Sequence, residues 1–203
     1  MTRTTLSPTA AVFLDRDGVL IEDNHLLTRP EQIVVLTGVP PALQTLSATG
    51  FKLIVVSNQP VVACGLASEA EVRTVIAHLE TLLQRAGAPA LDGTYFCPHH
   101  PNATLPAYRV ACDCRKPRPG LFLRAATELS LDLGSSFAVG DRITDIIAGA
   151  RAGCRTVLVQ TGMHGAKPIE ASEPLDPTIQ PDYTGADLAA AAEWIIGQMK
   201  NEK

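Results

Sequence analysis

Five short, almost uninterrupted apolar runs are spaced along this 203-residue chain, at 11–14 (AVFL), 51–56 (FKLIVV), 94–96 (TYF), 137–139 (FAV) and 156–159 (TVLV). Runs without polar alternation belong to strands covered on both faces, which is the condition of a parallel sheet sandwiched between helices. The intervening segments carry helix punctuation. Residues 39–49 have Pro40 and Pro41 at their start and Gly50 just past their end, as a helix requires. Ser68 and Glu71 form a capping-box pair ahead of an apolar stripe of Val72, Val75, Ile76, Leu79, Leu82 and Leu83. Further helices are expected over 121–129, 143–152 and 188–199. Strand and helix therefore alternate, and right-handed crossovers give a doubly wound, mostly parallel α/β sheet. Two stretches interrupt the pattern: 97–119, and 162–183, which reads as a surface connection to the last helix.

Length and composition narrow the class. At 203 residues with 46% hydrophobic and 19% charged residues, one self-folding domain over 1–203 is expected. Seventeen Lys and Arg oppose 21 Asp and Glu for a net charge of −4, with no basic cluster of the kind that nucleic-acid or anionic-membrane binding needs. Neither a signal peptide nor a bilayer-length apolar run is present in the sequence. A soluble cytoplasmic monomer without nucleic-acid or membrane partners is the expectation, and its five cysteines read as thiols or metal ligands.

In sheets of this type, ligands lie beyond the carboxyl ends of the strands. Three polar junctions fall there: Asp15-Arg16-Asp17-Gly18, Ser57-Asn58-Gln59, and Gly140-Asp141-Arg142-Ile143-Thr144-Asp145. Each alone reads as a turn or helix cap. Three in phase bring carboxylates together on one rim, where repulsion calls for a cation, and hard oxygen donors favour Mg²⁺. Lys116, ahead of a helix that starts near Pro119, is a candidate to screen a phosphate. A second constellation, Cys97-Pro98-His99 with Cys112-Asp113-Cys114, has the paired short spacings of a closed tetrahedral Zn²⁺ site with ligands Cys97, His99, Cys112 and Cys114. Such a site is structural. His100 is left as a loop residue or weak substrate contact, and Cys64 and Cys154 as small apolar residues.

The segments FLDRDGVL, VVSNQ, RKP and VGDRITD resemble, in order, the four motifs of the haloacid dehalogenase (HAD) superfamily, over residues 12–145. The resemblance implies a phosphatase with Asp15 as nucleophile and Asp17 as acid and base. It further implies that Ser57 and Asn58 contact the phosphoryl group, Lys116 balances charge, and Mg²⁺ sits between Asp15, the Asp17 backbone carbonyl and Asp141, with Asp145 supporting that shell. CPHHP with CDCRKPRPG is similar to the zinc loop, here at about 97–119, of the heptose bisphosphate phosphatases, which implies a phosphorylated sugar as substrate, removal of its 7-phosphate, and contacts from Arg115 and Arg142. Histidinol-phosphate phosphatases share the zinc loop with a shorter span and give the alternative substrate class. The chain departs from the heptose pattern at Val19, at 23–26, and at Cys64, where an Arg is expected. A small flap after Gly18 and the zinc loop stand in place of a large cap domain. A non-catalytic zinc-stabilised binding module is disfavoured by the presence of both Asp15 and Asp17.

Overall fold

The structure, a computed structural model, describes residues 9–24, 26–162 and 174–201. His25 of the flap and residues 163–173 of the 162–183 connection lie outside the described residues.

Six parallel strands form one sheet: β1 (Ala11–Leu14), β2 (Lys52–Asn58), β3 (Gly93–Cys97), β4 (Phe137–Gly140), β5 (Arg155–Val159) and β6 (Tyr183–Gly185). Their order is β3-β2-β1-β4-β5-β6, so the winding direction reverses between β1 and β4. Loops at such a reversal diverge to opposite faces and leave a crevice at the strand ends. Leu14 is in register with Val55 of β2 and with Val139 of β4, which sets Asp15 beside the residues that follow β4.

Alternate strand residues feed two cores. Val12, Leu14, Leu53, Val55, Phe137 and Val139 join α1 (Val39–Ala48), α2 (Glu69–Arg85) and α5 (Leu188–Asn201) on one face. Ala11, Phe13, Ile54, Val56 and Ala138 join α3 (Gly120–Leu129) and α4 (Ile143–Ala152) on the other. Burial on both faces explains why the strands read as unbroken apolar runs. The capping box at the start of α2 is formed, with Glu71 N–H donating to Ser68 Oγ at 3.2 Å and Ser68 N–H to Glu71 Oε2 at 2.7 Å.

β2 runs past its apolar segment to include Ser57 and Asn58, and Asn58 pairs in register with Cys97 at the end of β3. β6 has no apolar signature in the sequence. Its three residues follow a stretch rich in Pro and Thr, and only Gly185 is buried. After Gly18 the chain turns back through bridges between Asp17 and Ile21 and between Ile21 and Val35, which form the small flap. No helix of the described residues is long and apolar enough to cross a membrane.

Candidate active site

The turn after β1 carries the first two carboxylates. Gly18 permits it, adopting φ +74°, a region that costs other residues about 1 kcal/mol or more. Gly18 also leaves room for its neighbour, because a Cβ there would stand 2.5 Å from Asp141 Oδ2. Thr161, just beyond β5, donates its hydroxyl to Gly18 O at 2.5 Å and pins the turn.

Lys116 lies at the centre of the site. Its Nζ is 3.0 Å from Asp15 Oδ1, 2.6 Å from Asp145 Oδ1 and 2.9 Å from Val56 O, with the side chain almost wholly buried. Burial works against its charge, but the two carboxylates outweigh burial and hold its pKa above the ordinary lysine value. The backbone of Lys116 is bracketed by the Asn58 side-chain amide, with Lys116 N–H donating to Oδ1 and Nδ2 donating to Lys116 O, both at 3.1 Å.

Asp15, Asp141 and Asp145 are all buried, and each offers a carboxylate oxygen within 4.8 Å of the others. Three carboxylates face one lysine here. The excess negative charge is visible in Asp145, which burial and the charge of Asp15 push up to about 6 although Lys116 pulls the other way. A hard divalent cation fits this oxygen set. Of the three, Asp145 has both oxygens engaged, Oδ1 by Lys116 and Oδ2 by Arg142 N–H at 3.0 Å, which is the arrangement of a supporting group. Gly140 makes this approach possible, since a Cβ there would stand 2.5 Å from the Asp145 carboxyl carbon. The Asp17 carboxylate lies outside the trio.

Asp17 instead points to Arg16 and Gln59, accepting from the Arg16 guanidinium and, at 3.3 Å, from Gln59 Nε2. Burial raises its pKa, the Arg16 charge opposes this, and the charge of Asp15 adds to it. Ser57 is buried, with its Oγ accepting from Gln59 Nε2 at 2.8 Å; it is not among the residues that line the cleft. Sequence reasoning missed Arg16, Gln59 and Asp23, the last bonded to Arg142 Nη2 at 2.8 Å. A polar residue directly beside a motif aspartate was the available signal for the first two.

These groups border a cleft of about 310 Å³ lined by Asp15, Asp17, Asn58, Arg115, Lys116 and Arg142, together with Asp23, Leu26, Pro60, Cys64, His100, Thr144 and Asp145. Cys64 and His100 thus face the cleft.

The second cluster forms as expected. Cys97 Sγ lies 3.1 Å from Cys114 Sγ, 3.6 Å from Cys112 Sγ and 3.7 Å from His99 Nδ1, and His99 Nδ1 lies 3.4 Å from Cys114 Sγ. Bond lengths typical of zinc give tetrahedral edges of about 3.8 Å between sulfurs and about 3.6 Å from sulfur to nitrogen, so the four atoms fit one Zn²⁺. The contact with Cys97 holds Cys114 down to about 5, and the same contact pushes Cys97 upward. Arg115 Nη1 donates to His99 O at 3.0 Å, tying the cleft to this loop.

A parallel sheet with three aspartates around a buried lysine at its reversal point defines an HAD-like hydrolase. Residues 113–191 match the family model described as HAD-hydrolase-like. The chain is 41% identical over 160 residues to a D-glycero-β-D-manno-heptose-1,7-bisphosphate 7-phosphatase of Escherichia coli O6:H1, covering 78% of this chain and 82% of that protein. It is 38% identical over 190 residues to the protein of the same name from Salmonella typhi, covering 93% and 90%. The crystal structure of D,D-heptose 1,7-bisphosphate phosphatase from B. bronchiseptica complexed with magnesium and phosphate superposes with a TM-score of 0.77 at 30% identity, covering 93% of this chain and 99% of that one. The chain belongs to the family of HAD-like hydrolases formed by these heptose bisphosphate phosphatases.

Proposed function

We propose that the chain hydrolyses the 7-phosphate of D-glycero-β-D-manno-heptose 1,7-bisphosphate by way of a phosphorylated Asp15. The observation that carries the mechanism is the contact of Lys116 Nζ with Asp15 Oδ1 in a cleft that both line together with Asp17. The substrate rests on the names of relatives that are 41% and 38% identical over most of the chain. Lys116 fixes the Asp15 carboxylate, and Arg16 N–H donates to the same Oδ1 at 2.8 Å, so the nucleophile is oriented before substrate arrives.

One Asp15 oxygen forms a bond to phosphorus as the ester P–O bond breaks, and Asp17 gives its proton to the departing sugar oxygen. Asp17 then takes a proton from the water that attacks the acyl phosphate, and phosphate leaves with Asp15 restored. Asp15, Asp141 and the Asp17 carbonyl would hold Mg²⁺, which screens the charge of the phosphate dianion when bound. Ser57 and Asn58 would contact the phosphoryl group, Asn58 from the cleft lining while its amide also holds the Lys116 backbone. Arg115 and Arg142, both at the cleft wall, present guanidinium forks to the sugar phosphate. Cys97, His99, Cys112 and Cys114 would hold a structural Zn²⁺ that shapes the wall without entering the reaction. We read 1–203 as one domain that works as a cytoplasmic monomer.

Phosphate release from the β and α anomers of the heptose bisphosphate and from histidinol phosphate, measured side by side with Mg²⁺, tests this reading. The β-heptose ester is expected to give the highest kcat/KM, and a preference for histidinol phosphate would overturn the substrate. Asp15→Asn is expected to abolish turnover with the fold retained; undiminished turnover would exclude the nucleophile.

A further inference from the structure

We propose that Gln59 is a positioning residue whose single side-chain amide holds the Ser57 hydroxyl and the Asp17 carboxylate together, leaving Asp17 Oδ1 as the oxygen that serves the leaving group. This rests on the proposed function, in which Asp17 is acid and base. Gln59 lies one residue beyond β2 and is 2% exposed. Its Nε2 donates to Ser57 Oγ at 2.8 Å and to Asp17 Oδ2 at 3.3 Å, and its backbone N–H donates to Cys97 O at 2.8 Å. The side chain therefore reaches from the end of β2 to the turn after β1, while its backbone is anchored to the end of β3. A buried amide that only filled space would need partners of no particular kind. Gln59 meets two that the reaction uses, on different elements.

The donor count makes the bridge directional. An amide NH₂ carries two donors and an ionised carboxylate only accepts, so the nitrogen of Gln59 faces Asp17 and one N–H goes to each partner. Ser57 Oγ receives the second N–H, which turns the hydroxyl's own proton away from Gln59. In the proposed reaction that proton serves the phosphoryl group. The Asp17 end is equally constrained. Arg16 spans both carboxylate oxygens, with Nη2 at 2.8 Å from Oδ1 and 2.7 Å from Oδ2, and must yield when a leaving group approaches. Gln59 touches Oδ2 alone, and an N–H disfavours a proton on the oxygen it faces. With Gln59 in place, Oδ2 keeps accepting as the carbonyl-like oxygen of the acid, and the transferred proton resides on Oδ1. Ser57 and Arg16 are buried as well, so a residue without a donor at this position leaves Ser57 Oγ and Asp17 Oδ2 each short of a hydrogen bond where water is a poor substitute.

Kinetics with two esters, on the Mg²⁺- and Zn²⁺-loaded protein, test both ends of the bridge. On dinitrophenyl phosphate, whose leaving group needs no proton, Gln59→Leu acts through Ser57 alone, so kcat/KM of S57A and of the S57A/Q59L double variant should agree within about twofold. On the heptose bisphosphate, Gln59→Leu should lose about tenfold more than on the dinitrophenyl ester. Gln59→Glu keeps the shape without the N–H and should lose as much. Full activity of Gln59→Glu would show that the side chain only fills space and would overturn the proposal, as would equal losses on the two esters. Should Gln59→Leu fail to fold, Gln59→Glu carries the same comparison. Nitrogen-15 NMR of the loaded protein gives a readout that needs no turnover: Ser57→Ala is expected to shift one Gln59 Nε2 proton and Asp17→Ala the other, and two unmoved protons would overturn the bridge. Were the unaltered protein to hydrolyse no ester at all, the proposed function would fall, and the proton shifts would still decide whether Gln59 joins the two groups.

Discussion

Arg16 grips Asp17 with two arms of its guanidinium: Nη2 stands 2.8 and 2.7 Å from the two carboxylate oxygens, and Nε 3.1 Å from Oδ1. A carboxylate in this grip favours its ionised form, whereas burial favours the neutral one. Proton donation to a leaving group then requires Asp17 to exchange Arg16 for the substrate. Asp17→Asn retains the shape and Arg16 contact but cannot deliver a proton. We expect kcat on a sugar phosphate to fall by about 10²–10⁴-fold, and far less on dinitrophenyl phosphate, whose leaving group departs unprotonated. Comparing the two substrates in one variant checks this; equal losses would remove Asp17 from the acid role.

The lysine bridge yields a second expectation. With Lys116→Met, the Asp15 and Asp145 carboxylates remain buried without the cation between them. Breaking a buried pair in this way costs about 3–5 kcal/mol, to be read by urea denaturation of metal-free protein. Turnover should vanish as well. Lys116→Arg should not restore it, because one ammonium bonds Asp15, Asp145 and Val56 O at once, and a planar fork cannot converge on three such oxygens. Full stability in Lys116→Met would contradict this account.

Much of this arrangement was legible in the sequence because it depends on position along strands. Asp15, Ser57 and Asp141 close apolar runs, and runs buried on both faces mark parallel strands whose ends share a rim. The cysteine loop was legible from spacing alone. What escaped were contacts that cross the fold. The pairing of Asn58 with the Lys116 backbone joins residues 58 positions apart, and that of Arg142 with Asp23 spans 119. β6 escaped because a three-residue edge strand needs only backbone hydrogen bonds to join a sheet, and Tyr183, Thr184 and Gly185 make no apolar run. The phosphoryl contact of Ser57 came from the family resemblance; the side-chain bond that its Oγ accepts from Gln59 Nε2 carried no signal in the sequence.

Metal removal tests the link between the two centres. Cys97 pairs in register with Asn58, and Arg115 is tied to His99 O, so loosening the four ligands should disturb both Asn58 and Arg115. After Zn²⁺ is stripped with a chelator, hydrogen exchange should rise across 97–118, and kcat/KM should drop by about 10²-fold through misplacement of Lys116. Zn²⁺ added back should restore both, while Mg²⁺ alone should not. Full activity of verified zinc-free protein would separate the loop from the reaction.

The acidic trio also sets a pH dependence whose sign is opposite to that of a carboxylate whose pKa is lowered on folding. Asp145 is raised from 3.8 to about 6 in the folded chain, so between those values the native state binds a proton that the unfolded state has released. Stability of the metal-free protein should therefore lose a contribution as pH rises from about 4 to about 6. Mg²⁺ competes with that proton for the carboxylates, so saturating Mg²⁺ should weaken or reverse the trend. Urea midpoints at several pH values, taken for the unaltered protein and for Asp145→Asn, isolate this contribution as the difference between two slopes. Parallel slopes in the absence of metal would show that Lys116 already neutralises Asp145 and that the trio carries no surplus charge for a cation to relieve.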